Sequence, residues 1–500
     1  MNKTLITSVL TAAMILGSAS SVFACTGTYV GKKVSANGST LVARTEDLDS
    51  HHPKSMIVYP AADHKKGSMY RSAITNFEYP NPLHTYKYFA VPDSDGDKDD
   101  GTYDEVGYNE NGVAITATIS ADVNDKIQSV DPLVEDGLRE ADIASLVLSR
   151  AKTAREGVEL LAKIVDEKGS AEGNIVMIAD HNEVWYMEIV SGHQYAATKM
   201  PDDMVAVIPN TFLLDNVNVN DKANVIASKN LISMPEKNHL LKTYNGEFSV
   251  RKTYGTPVQN YDRDRLWGGR HFLAPSKKTP FNSDFTLYFK PDKKVSVKDV
   301  MELQKYRYED TKLNANLPEN NTEKNKVRPI GTPNSHECHI IELKDNFPKE
   351  APGLLWLCMG NAEHNVYLPY FPLVNKVQKE YSNRYHDFNE NQAYWAFRGQ
   401  ATLAELNRDK YGKNVRKYWE QYQDKIIKDQ DAKNAEFLKI YHLNGKSNAT
   451  NYANQEANKL QKESYDKAVK MYHELFRYVA GEAGRPAKDA FTPSEMQQAK

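Results

Sequence analysis

Cys25, Arg44 and Asp47 offer a thiol, a guanidinium and a carboxylate within one short stretch. They lie in residues 23–47, F-A-C-T-G-T-Y-V-G-K-K-V-S-A-N-G-S-T-L-V-A-R-T-E-D. A chain cut just before Cys25 would open on a residue with two reactive groups. Its thiol could attack a carbonyl while its own α-amino group took the proton, the amine-activated form of nucleophilic catalysis. An α-amino group titrates near about 7.7 to 8.0, so roughly a tenth is free base at pH 7, against well under about 1% for a lysine. The terminal amine is the better-matched base.

The cut is itself an expectation from sequence. Lys3 supplies a positive start, residues 5–16 (L-I-T-S-V-L-T-A-A-M-I-L) form a short apolar core, Gly17 breaks it, and Val22-Phe23-Ala24 carries the cleavage pattern of an export signal. Two readings compete with it. A membrane anchor would need about 20 apolar residues, and this run is shorter and diluted by Thr and Ser. A lipoprotein signal also places cysteine after the cut, but bulky Phe23 suits it poorly. Acylation would consume both the thiol and the amine, so the lipoprotein and enzyme readings exclude each other.

Composition bounds the rest. The chain has 500 residues, 40% hydrophobic and 26% charged, with a net charge of -3. That is ordinary globular composition, enough for two domains or one large one with an extension. The balance of charge gives no basic excess to hold nucleic acid, and no second long apolar run points to a membrane. Of three cysteines, removing Cys25 leaves Cys338 and Cys358, either a disulfide or two buried thiols in strand-like runs.

The elements that must position the chemistry follow from the pattern. T-G-T-Y-V-G alternates like a strand, and S-A-N-G-S turns it back into T-L-V-A-R, a hairpin that returns Arg44 and Asp47 to the neighbourhood of Cys25. There a guanidinium would favour the thiolate and a carboxylate could hold the ammonium form of the amine. On its own, an R-x-x-D is commonly a surface ion pair. Residues 93–105 (D-S-D-G-D-K-D-D-G-T-Y-D-E) invite calcium, but Lys98 stands where a calcium loop needs glycine, so a solvated acidic loop is expected. Residues 106–120 read as an Asn-Gly turn feeding a buried strand.

Helices are expected over residues 142–150 and 153–168, the second opened by a Thr153/Glu156 capping box, and strands over 174–180, 183–190 and 204–209. From about residue 376 the chain turns to long polar helices. Val415, Trp419, Tyr422 and Ile426, and again Tyr465, Val469, Tyr472 and Phe476, have the spacing of one buried stripe each. Three segments result: residues 1–24 as signal, 25–375 as catalytic domain, and 376–500 as a helical extension.

Several stretches together resemble the cysteine-dependent dipeptidases of the dipeptidase A type, within the N-terminal nucleophile hydrolases that include penicillin and bile-salt acylases. They are A-C-T with R-T-E-D, Y-N-E-N-G-V-A-I-T-A-T, I-P-N-T-F at residues 208–212, Y-D-R-D-R-L-W-G-G-R-H-F-L-A-P at 261–275, and T-P-N-S-H-E-C-H-I-I-E-L with L-P-Y-F-P between 332 and 372. The resemblance implies an α+β fold, a four-layer αββα sandwich of two antiparallel sheets. It implies Cys25 as nucleophile and base, Asp47 as holder of the amine, Arg44 as cationic neighbour of the thiol, Asn210 as oxyanion donor and Arg265 as a second active-site arginine. The acylase branch has a further oxyanion Asn near the end of the A-I-T-A-T strand. Here Thr118, Ile119 and Ser120 stand there, and a backbone N–H is the alternative donor.

His336, Cys338 and His339 could be misread as a metal cluster, but strand alternation sends His339 to the opposite face from the other two. A papain-like pair fits badly as well, since that fold opens a helix at its cysteine. The expectation is therefore an exported hydrolase, secreted or periplasmic, that cleaves dipeptides through a thioester on Cys25 without metal or cofactor. Its partners would be small peptides, with no nucleic acid and no stable membrane insertion, and homo-oligomerisation left open. The alternatives are an acylase acting on a non-peptide amide and a non-catalytic lipoprotein.

Overall fold

The computed structural model describes residues 25–48, 52–92, 103–322, 324–385, 387–482, 484–485 and 487–498. The expected signal (1–24) and most of the acidic stretch (93–102) lie outside these residues.

Cys25 leads directly into β1 (Thr26–Val30), which turns back into β2 (Thr40–Asp47). Gly38 takes the turn at φ 77, in the left-handed region that glycine enters without penalty. The two strands pair antiparallel with Thr26 opposite Thr45 and Gly27 opposite Arg44. The far end of the hairpin thus lies beside Cys25.

The strands that flank this hairpin are far apart in sequence. Six further strands matter to the site: β3 (Asp104–Asn109), β4 (Ala114–Ser120), β5 (Asn174–Ala179), β6 (Val184–Ile189), β7 (Val205–Ile208) and β8 (Ser335–Leu343). With β9 (Gly353–Met359) they belong to two antiparallel sheets among the described residues. One has seven strands in the order Tyr288–Phe289, β7, β1, β2, β8, β9, Leu368–Tyr370. The other has eight: Val225–Ala227, Tyr195–Lys199, β6, β5, β4, β3, Tyr88–Pro92, Ile57–Tyr59.

The near-continuous apolar run of β5 is explained by cover on both faces. Ile175, Met177 and Ala179 join the core shared with the seven-stranded sheet, whereas Val176 and Ile178 join a second core under helices. Those helices are α1 (Glu140–Leu148) and α2 (Ala154–Lys168), packed on the outer face of the eight-stranded sheet. α2 starts where Thr153 accepts a hydrogen bond from the Glu156 N–H and stops at Gly169, φ 74. α1 begins two residues before the expected start.

The opposite outer face carries α3 (Asn260–Leu273) against β7, and α4 (Ala393–Leu406) and α5 (Lys413–Glu482) against β9 and Leu368–Tyr370. The order is helices, sheet, sheet, helices, the four-layer α+β sandwich expected. Gly27 lets the sheets close beside Cys25: a Cβ there would sit 2.7 Å from Ile119 Cδ1 on β4.

α5 is broken at Gly445, φ 81, and its halves lie side by side, with Lys433 Nζ 3.0 Å from Glu456. The first expected stripe is the observed one: Val415, Trp419 and Ile426 are buried and Tyr422 partly so. The second is displaced by a residue. Leu460, Ser464, Ala468, Met471 and Leu475 are buried, whereas Phe476 is 55% exposed. Polar partners explain the shift, since Gln461 accepts from the Gln378 N–H and Ser464 bonds the Tyr381 hydroxyl. Hydropathy spacing does not register such contacts.

Candidate active site

Four of the five expected residues meet through direct contacts. Arg44, on β2, is fully buried and places Nη1 3.3 Å from Cys25 Sγ and 2.7 Å from the Thr118 carbonyl on β4. Arg265, on α3 and equally buried, donates from Nη1 to the Cys25 carbonyl at 2.6 Å, to Asn210 Oδ1 at 2.9 Å and to Thr26 Oγ1 at 3.2 Å. Asn210, one residue past Pro209 at the end of β7, donates from Nδ2 to the Ser120 carbonyl at 2.9 Å. Cys25 is held at both ends, its sulfur by one arginine and its carbonyl by the other.

Asp47 stands one step back. Ser335 Oγ donates to its Oδ1 at 2.6 Å and Arg328 forms an ion pair with its Oδ2. Its charge still reaches the centre, raising the Cys25 thiol and supporting the Arg265 guanidinium.

Burial pushes the Cys25 thiol up to about 12; Arg44 opposes this, and Glu46, Glu105 and Asp47 reinforce it. Arg44 favours the thiolate, burial outweighs it, and the Arg44 charge is shared with carboxylates. Glu105 on β3 forms a buried ion pair with its Nη2, and Glu337 lies 3.8 Å away. Burial alone would lower the Arg44 guanidinium, but these carboxylates raise it well above its ordinary value. Burial lowers Arg265, against the support of Asp262, which accepts from its Nη2 at 2.8 Å. Burial likewise brings Asp262 up to about 6.

Several of these partners escape a reading by motif. Glu105 closes the stretch read as a solvated acidic loop, yet Asp104 and Glu105 are both buried in β3. Asp104 accepts hydrogen bonds from Tyr59, Tyr88 and Ser145. Asp262 had a local signal, the i,i+3 spacing to Arg265 on one helix. Arg328 and Ser335 had none, being about 280 residues from Asp47. At the position of the acylase branch's second Asn, Thr118 and Ser120 turn carbonyl oxygens toward Arg44 and Asn210. Those contacts are acceptors, so they supply no oxyanion donor.

The histidine-rich strand is packing. His339 bonds Glu337 at 2.8 Å and Thr116 of the other sheet at 2.9 Å, while His336 faces the Tyr394 hydroxyl on α4. Cys338 and Cys358 are direct cross-strand partners on β8 and β9, and both are free, buried thiols.

A buried cysteine held at its sulfur by one arginine and at its carbonyl by another, beside a side-chain amide, could attack a carbonyl and hold the charge that develops, the arrangement of a thiol hydrolase on a four-layer sandwich. The model of Peptidase family C69 matches residues 24–421, and the chain belongs to that family. Among its relatives, probable dipeptidase B of Streptococcus pyogenes serotype M1 is 40% identical over 425 residues, 81% of this chain and 85% of that protein. Probable dipeptidase A of Streptococcus pyogenes serotype M3 (strain SSI-1) is 33% identical over 406 residues, 80% of this chain and 86% of that protein. The solved penicillin V acylase from Agrobacterium tumefaciens is 12% identical, with coverage of 69% of this chain and 86% of that one and a TM-score of 0.30.

Proposed function

We propose that the protein is an exported dipeptidase whose nucleophile is Cys25, freed by removal of residues 1–24, and whose substrates are short peptides. The observation that carries this reading is the clamp on Cys25: Arg44 at its sulfur and Arg265 at its carbonyl. The family match opens at residue 24, one position ahead of that cysteine, which supports the same start. The names of the dipeptidase relatives support the substrate class.

In this scheme the thiol and the amine act in one step. Burial raises the Cys25 thiol, which favours loss of its proton as sulfur attacks rather than before. The Cys25 amine takes it, the S–C bond forms, and the oxyanion accepts from the Asn210 amide. The amine then returns the proton to the leaving nitrogen as the C–N bond breaks. Water adds to the thioester in the same manner, releasing the acid and restoring the thiol. Asp47, steadied by Ser335 and Arg328, would hold the ammonium form that appears between these steps.

The assignment extends to organisation: residues 25–375 as the catalytic unit, 376–500 as a helical extension, and a secreted or periplasmic location. Intact mass and N-terminal sequencing of the secreted protein should find Cys25 first and unmodified, and an acyl mass on it would overturn the scheme. Turnover of a dipeptide panel beside acyl-amides such as a phenoxyacetyl amide separates this reading from an acylase. Iodoacetamide should abolish the activity in proportion to Cys25 labelling.

A further inference from the structure

β4 ends in a bulge at the catalytic centre, and its two sides face different things. Its pairing with β5 runs Ala117 to Val176 and then Ile119 to Ile175, leaving Thr118 without a partner in the ladder. The Thr118 carbonyl meets Arg44, whereas its hydroxyl donates to Glu140 Oε2 at 2.6 Å. Ser120 repeats the arrangement: its carbonyl accepts from Asn210, and its hydroxyl donates to the same Glu140 oxygen at 3.3 Å. Glu140, the first residue of α1, is thus one residue removed from both the arginine at the sulfur and the amide beside it.

Around Glu140, acceptors outnumber donors. Glu172 accepts from the Glu140 N–H at 2.6 Å, and its nearest cation is Arg139 Nη1 at 3.7 Å, so it is only loosely paired. Glu140 itself has no ion pair among the described residues. Asn174, wholly buried and directly opposite Ser120 on β5, donates from Nδ2 to Glu172 at 3.2 Å. Its Oδ1 has no donor. Turning the amide over would set two oxygens against each other, so the open position there is an acceptor. Burial and the charge of Glu172 bring Glu140 up to about 6, the behaviour of an acid pair short of a cation.

Resting on the dipeptidase reading, we infer that Glu140, Glu172 and Asn174 receive the α-ammonium group of the substrate, so that the enzyme requires a free amino terminus. An ammonium carries a positive charge and three donors, matching two carboxylates and a bare amide oxygen. It also lies two bonds from the scissile carbonyl carbon of a dipeptide. A site that touches both Arg44 and Asn210 through Thr118 and Ser120 is where that group would fall.

The test compares a dipeptide with its des-amino and N-acetyl counterparts, first on the wild type and then on Glu140→Gln and Glu140→Asp. The wild type should prefer the free amine by about a hundredfold or more in kcat/KM, as loss of a charge-assisted contact to buried acceptors predicts. Glu140→Gln should cut kcat/KM on the free-amine substrate by about 10- to 100-fold, mainly through KM, and collapse the preference, with Glu140→Asp retaining part of it. Wild-type turnover of the des-amino peptide within threefold of the dipeptide overturns the inference while leaving a peptidase. Equal losses on all three substrates in Glu140→Gln also overturn it, since a merely structural role would act that way. Should that variant not fold, as judged by melting and Cys25 alkylation, the wild-type ratio decides alone. Cleavage of acyl-amides but of no peptide would sink both this inference and the dipeptidase reading.

Discussion

Two buried charge networks in this molecule use the same residue types to opposite effect. One surrounds Cys25. The other joins the catalytic sandwich to the C-terminal helices, where Arg307 Nη2 lies 2.7 Å from Glu363 and 2.5 Å from Glu405, Arg408 bridges the same two carboxylates, and Arg416 Nε stands 3.7 Å from Glu363. Glu363, His364 and Glu405 bring ligand-type atoms within 4.8 Å of one another, but guanidinium groups hold the carboxylates. Burial alone would raise Glu363; Arg307 and Arg408 outweigh it and bring its carboxyl down to about 2. Near Cys25 the balance tips the other way, with the thiol up to about 12 and Asp262 and Glu140 at about 6. At Glu363 the neighbouring guanidinium charges outweigh burial, whereas near Cys25 burial outweighs the charges.

Substitutions in each network test this contrast. Cys25→Ala should lower kcat/KM by at least about a thousandfold with an unchanged melting curve, because the attacking atom is gone and the packing is nearly conserved. Arg44→Met should be next, since it removes the cation of a buried ion pair with Glu105: urea unfolding should register a loss of about 3 to 5 kcal/mol. Adding Glu105→Leu should restore much of that stability but no activity, separating the arginine's two roles. Asn210→Ala should reduce kcat by about 10²- to 10³-fold, read by steady-state kinetics with little change in alkylation of Cys25.

The smallest effect belongs to the joint. The folded pKa of Glu363 lies below its ordinary 4.5, so its stabilisation is fully present above pH 4.5 and disappears as pH falls from 4.5 toward 2. Denaturant midpoints should drop by the equivalent of up to about 3 kcal/mol over that window, and Glu363→Gln should flatten the drop. The same titration on Glu405→Gln should lose stability at neutral pH while kcat per folded molecule holds. If kcat fell as far as stability, the joint would not be separate from the thiol centre.

Much of the site was legible in the residues. The hairpin itself is legible, but its register is not set by Asn37-Gly38: residues 31–39 form a longer loop, Val30 pairs with Leu41, and that register places Arg44 opposite Gly27 beside Cys25. The strands at 174–179, 184–189 and 205–208 lie within the apolar runs that announce them. Burial direction was less legible where polar contacts compete with hydropathy, as at Gln461 and Ser464. Glu105 was misplaced because a carboxylate beside an acidic run reads as solvated until its arginine partner, 61 residues earlier, is seen.

What the sequence determined by itself was local: a cysteine at a strand start, an arginine one hairpin away, an amide at the end of another strand, and motifs of a family to which the chain belongs. The fold adds the company that cysteine keeps, and with it the direction in which its thiol is shifted. A buried group's charge state is a sum over every neighbour within a few ångströms, and here those neighbours come from β2, β3, β4, α3 and β7. No spacing along one stretch of chain encodes such a sum.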